Sequence, residues 1–150
     1  MSSLPETEFL YEPPAPATDG DAAKERLDYA LEVFIDEFRT NALRNLDRVE
    51  DILAELPNGT ADAPTLQSIL AILANIEGQG QSFQFELISE LGEMTCAFLR
   101  GRVEADATQM ALVGKVTEAM RLVIEQDVRG EGGLTERALV ACLREAFAVD

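Results

Sequence analysis

Histidine is missing from all 150 residues of this chain, and so is tryptophan. The first absence excludes the most chemistry. Imidazole is the side chain that joins a near-neutral pKa to a nucleophilic nitrogen, so its loss removes histidine phosphotransfer and histidine acid–base catalysis. It also removes the Glu-x-x-His ligand set of di-iron helical bundles. Cysteine occurs only as Cys96 and Cys142, far apart and in apolar contexts, with no Cys-x-x-Cys pair. Zinc binding and a disulfide framework are therefore not expected, and both thiols read as small core residues. No run approaches the about 18 apolar residues that a membrane span needs. The first twenty residues lack the basic and apolar regions of a secretory signal, which predicts a cytoplasmic protein. Basic charge is scarce as well: 12 Lys and Arg face 28 Asp and Glu, a formal net charge of −16. That field repels phosphate backbones and anionic lipid, so neither nucleic acid nor membrane is an expected partner.

The composition of what is present divides at about residue 20. Residues 1–20 carry Glu6, Glu8, Glu12 and Asp19, no basic residue, and Pro5, Pro13, Pro14 and Pro16. Such a segment cannot bury enough surface to order itself, and a disordered or extended tail is predicted, with Phe9, Leu10 and Tyr11 as incidental apolar residues. Residues 21–150 read as one domain of ordinary size.

From Asp21 onward the apolar residues recur in steps of three and four. Leu27, Leu31, Phe34, Phe38, Ala42, Leu46, Val49, Leu53 and Leu56 mark one long helix, expected to bend near Thr40 and to end at Pro57-Asn58-Gly59. A second helix is expected from Asp62, with Pro64 in its first turn and Leu66, Ile69, Leu70, Leu73 and Ile76 as its stripe. Ser82 is the expected N-cap of a third, which carries Phe85, Ile88, Leu91, Thr95, Phe98 and Leu99 and stops at Gly101. Asp106 and Gln109 have capping-box spacing before a fourth helix with Met110, Val113, Val116, Met120, Val123 and Ile124. A short fifth helix after Thr135 presents Leu139, Leu143 and Phe147. No strand pattern is present. The fold expected is all-α, an antiparallel four-helix bundle with an additional C-terminal helix.

The segment Leu73–Phe85, LANIEGQGQSFQF, carries the main functional pointer. Together with Phe34-Ile35-Asp36-Glu37-Phe38 and the order of helices, it resembles the histidine-containing phosphotransfer (HPt) domains, most of all the N-terminal phosphotransfer domain of chemotaxis histidine kinases. The resemblance covers about residues 21–147. The family motif, His-x-x-Lys-Gly followed by a turn rich in Ser/Thr and Phe, aligns with Ala74, Asn75, Ile76, Glu77 and Gly78, then with Gln79 to Phe85. Ala74 stands where the phosphorylated histidine would be, and Glu77 where a lysine would neutralise phosphate. Gly78, Phe83 and Phe85 match the pattern. Gly78 reads as a place where a neighbouring helix or a docking partner comes close, and the two Phe residues as buried rings.

Residues that serve the fold are thus present and residues that serve the reaction are replaced. The resemblance implies a non-enzymatic pseudo-HPt protein without cofactor or metal. It would dock a response-regulator receiver domain or a histidine kinase through Ala74, Asn75, Glu77, Gly78, Gln79 and Gln81. A structural or homodimerising bundle, paired through the stripe of the first helix as it extends through Leu46 and Leu53, is the alternative.

Overall fold

The computed structural model describes residues 16–148, with side chains from Gly20 onward. The protein is all-α. Helices α1 (Pro16–Ala54), α2 (Ala63–Gly80), α3 (Glu86–Leu99), α4 (Ala107–Glu125) and α5 (Leu134–Ala148) follow one another, and a single 3₁₀ turn covers Pro57–Gly59. α1 begins at Pro16, inside the stretch expected to be extended, and it runs through Thr40 as one uninterrupted helix. Pro at a first helical position costs no hydrogen bond, because that N–H has no intrahelical acceptor. Residues 1–15, including Phe9, Leu10 and Tyr11, lie outside the described residues.

Two units divide the chain, one up to Glu37 and one from Phe38 onward. In the first, the expected stripe of α1 is not a core stripe. Leu27 is 68% and Phe34 56% exposed, Leu31 is also exposed, and Ile35 is the buried residue of this stretch. Periodicity alone fixes which residues share a face of a helix; it does not supply the partner that covers them.

In the second unit the same helix changes character: Phe38, Ala42, Leu46 and Val49 are all buried. The expected pairing stripe therefore does not extend through Leu46, which the core already covers, and Leu53 is half-buried. Arg39 donates through Nε and Nη2 to the Ile124 carbonyl at 3.1 and 2.9 Å, and Arg121 reaches back to Asp47 and Glu50. The order of these contacts makes α1 and α4 antiparallel. α2 and α3 form an antiparallel hairpin. Ser89 Oγ donates to the Glu77 carbonyl at 3.2 Å, and a Cβ at Gly80 would meet Ile88 Cγ2 at 2.9 Å. α5 runs alongside α3 in the same direction, with Arg137 on Glu90 at one end and Phe147 against Phe98, centroids 5.0 Å apart, at the other.

Most residues of the expected stripes of α2, α3 and α4 form the core here, while Leu70 and Phe98 are half-buried. Leu66, Ile69, Leu73, Ile76, Ile88, Leu91, Leu99, Met110, Val113, Val116, Met120 and Ile124 are all buried. Two hydroxyls go inside with them and stay satisfied within their own helices, Thr95 on the Leu91 carbonyl and Thr117 on the Val113 carbonyl.

Four local expectations are corrected. Ser82 does not cap α3: it lies in the turn after Gly80, and α3 starts at Glu86 behind the buried Phe85. Leu139 is exposed, and Val140 takes the core position with Leu143. Cys142 is exposed too, beside buried Leu143 on the outer face of α5, whereas Cys96 is fully buried. Finally, two strands exist. β1 (Ala61–Asp62) pairs antiparallel with β2 (Glu104–Ala105), Ala61 opposite Ala105. Two residues are too few to display alternation, which is why no pattern announced them.

A better signal was available in a repeated tripeptide. Ala61-Asp62-Ala63 and Ala105-Asp106-Ala107 are the same sequence, and in each the Asp caps the helix that follows. Asp62 accepts from the Thr65 amide at 3.0 Å. Asp106 accepts from the Gln109 amide at 2.8 Å, while Gln109 Oε1 accepts from the Asp106 amide at 2.9 Å, which completes the expected capping box.

Candidate functional site

Five of the six site residues lie on the C-terminal half of α2, and Gln81 follows directly as its C-cap. Leu73, Ile76 and Gly80 point into the core. The 3.6-residue period therefore turns the residues between them outward. Asn75, Gly78, Gln79 and Gln81 are exposed, and Ala74 and Glu77 are half-buried. The structure brings all six to one end of one helix.

The glycines have other duties than the sequence suggested. A Cβ at Gly78 would meet nothing within 4 Å, so no neighbouring helix approaches there. The close approach belongs to Gly80 and to Gly92, where a Cβ would fall 2.7 Å from Glu77 Cβ. Gly92 went unnoticed in the sequence because it sits inside a helix, where glycine carries no turn signal. It sets how closely α3 lies against the candidate surface.

The turn behind the surface is built from aromatic rings. Phe38 packs on Phe83 and Phe85, with centroids 5.4 and 5.5 Å apart. The guanidinium of Arg129 lies 5.0 Å from the Phe85 ring. Gln84 takes a left-handed backbone, φ 70°, and its carbonyl accepts from the Gly130 amide at 2.8 Å. This bond ties the α2–α3 turn to the loop between α4 and α5. Fully buried Phe85 thus holds the end of α2 in place, whereas Phe83, expected to be buried as well, is half-buried and stacks on Phe38.

Comparison with protein-family models, with curated proteins and with solved structures gives no match to this chain.

Next to the candidate surface, Glu77, Gln81, Glu86, Ser89, Glu90, Glu93 and Glu131 line an open groove of about 340 Å³. Arg137 neutralises Glu90 through Nη1, at 2.7 and 2.6 Å from its two oxygens. The groove keeps an excess of negative charge and offers nothing to a phosphoryl group. Among the described residues no group of three or more Cys, Asp and Glu side chains is disposed to hold a metal ion, and no helix is long and apolar enough to cross a membrane. Cys96, the buried thiol of α3, is disarmed. Burial first, and the charge of Glu77 second, push its thiol up to about 11, against a smaller opposing pull from Arg100. What the arrangement offers is a polar, amide-rich helix face with an acidic border.

Proposed function

We propose that this chain is a pseudo-HPt module, a helical bundle that binds a receiver or histidine-kinase domain through the outer face of α2 and transfers no phosphate. One observation carries the reading: Asn75, Gly78, Gln79 and Gln81 are presented to solvent at the place where the resemblance puts a phosphotransfer site, in a chain without histidine. Gly78 gives a partner room to approach the helix backbone, since no described residue comes within 4 Å of a Cβ placed there. The exposed Glu86 and Glu93 border the face and favour a partner with basic residues at the matching positions.

The test is direct binding of isolated receiver domains and kinase catalytic domains to the full chain, compared with Ala74→Arg and Asn75→Arg. Asn75 is exposed, so its variant keeps the fold while blocking the face. A receiver or kinase domain that binds wild type and loses about tenfold or more on both variants supports the reading. Failure of every such domain to bind, or equal binding by both variants, would falsify it.

A second reading, self-association, rests on the exposed Leu27, Tyr29, Leu31 and Phe34 of α1. It is compatible with the first, because it uses a different part of the chain.

A further inference from the structure

Basic side chains are few in this protein, and several are committed to neighbours. Arg39 holds the end of α4, Arg121 bridges to Asp47 and Glu50, Arg129 pairs with Asp127, and Arg137 pairs with Glu90. The side chains of Arg100 and Arg144 make no hydrogen bond or ion pair with any described residue. Among the described residues Arg26 is likewise without such a partner, and Arg44 and Arg48 bond only to Asn41 and Asn45; what sets Arg100 and Arg144 apart is that they line the same cleft.

Both line a single cleft. Arg100 and Arg102 from the end of α3, Arg144 from α5, and Met94, Phe98 and Phe147 line an open cavity of about 550 Å³. No Asp or Glu belongs to its described lining. The α3 C-terminus does not need these two charges. The Arg102 Nε already donates to the Phe98 carbonyl at 2.9 Å, and the backbone amides of Arg100 and Arg102 return to Cys96 and Leu99. Arg102 also lies over Phe98, 3.9 Å from the ring centroid, so one wall of the cleft is an aromatic–guanidinium stack. Phe147 extends that apolar wall. Guanidinium groups that line one cleft suit the oxygens of a phosphate, and the planar rings suit an aromatic body.

We infer that this cleft binds a small aromatic molecule bearing a phosphate group, with Arg100 and Arg144 on the phosphate oxygens and Phe98 and Phe147 against the ring. The site is separate from the α2 face and stands whether or not that face docks a protein.

Phenyl phosphate titrated into the full chain, followed by amide NMR shifts, tests it. Saturable shifts at Phe98, Gly101 and Phe147 are expected, with tighter binding than inorganic phosphate alone. The double variant Arg100→Gln/Arg144→Gln alters exposed side chains only, and it weakens binding about tenfold or more through loss of charge-assisted hydrogen bonds. Phe147→Ala reduces the preference for phenyl phosphate over inorganic phosphate. The inference fails if no saturable shift is seen, if the double variant binds as wild type does, or if inorganic phosphate binds as tightly as phenyl phosphate.

Discussion

At the scale of single residues, the two cysteines and two of the glycines make opposite demands on the same chain. Cys96 is buried with its thiol pushed up to about 11, while Cys142 is exposed on α5. Alkylation at pH 8 should therefore label Cys142 quickly in the native protein and reach Cys96 only after unfolding, which mass spectrometry of the labelled chain will read. Gly78 and Gly92 separate in the same way. Gly78→Ala adds a methyl group to open space within a helix and should stabilise by about 0.5–1 kcal/mol. Gly92→Ala drives a Cβ against Glu77 and should destabilise by about 1–3 kcal/mol. Denaturant titration of both variants checks the sign of each effect. The sequence shows two glycines in helical patterns; only the neighbouring helix distinguishes them.

At the scale of elements, the caps explain where helices start and predict an acid sensitivity. Hydrogen bonds from Thr65, first through its side chain and then its backbone amide, hold the Asp62 carboxyl below its ordinary range in the folded protein. A pKa lowered by folding contributes stability that is fully present above the unfolded value, about 3.9, and fades as pH falls through the folded one. The melting-temperature gap between wild type and Asp62→Ala should hence be constant near neutrality and close as the pH drops below about 4. A gap that stayed open in acid would mean that the carboxylate form is not what caps α2.

The helices α2 and α4 were legible because Asp62 and Asp106 combine a cap with a clean apolar stripe behind it. α3 was legible in its stripe but not in its start. Ser82 has the right chemistry for an N-cap, yet burial of Phe85 and the left-handed Gln84 put the first helical turn at Glu86. Tertiary packing overrode a local preference of about 1 kcal/mol.

At the scale of the whole molecule, composition excluded histidine chemistry from the outset, and the stripes of residues 38–148 gave the all-α core. The candidate surface was legible only as a place: its six residues share one end of α2, where four are exposed and Ala74 and Glu77 are half-buried. The arginine cleft was not legible, since Arg100, Arg102 and Arg144 are brought together by α5 lying along α3, a contact that no local pattern encodes. Nor does periodicity reveal whether a stripe is covered. The stripe of α1 continues from Leu27 through Phe34 without a core around it, which is the basis for expecting self-association. Sedimentation of the full chain should show a dimer forming with concentration, and Leu27→Glu/Phe34→Glu should abolish it. A wild-type chain that sediments as a monomer throughout would remove that reading. The net charge of −16 opposes such pairing, so added salt should strengthen it.

The pairing of Ala61 with Ala105 has a mechanical consequence for the α2–α3 hairpin. The hairpin is joined at its tip by the Gly80–Phe85 turn and clasped at its base by two short strands, so the chain from 61 to 105 forms a closed ring. A ring opens by releasing its clasp, and amide hydrogens held in that clasp exchange with solvent only when it lets go. Their exchange rate becomes a clock for the whole hairpin, and should slow or quicken together with that of the buried amides of α3.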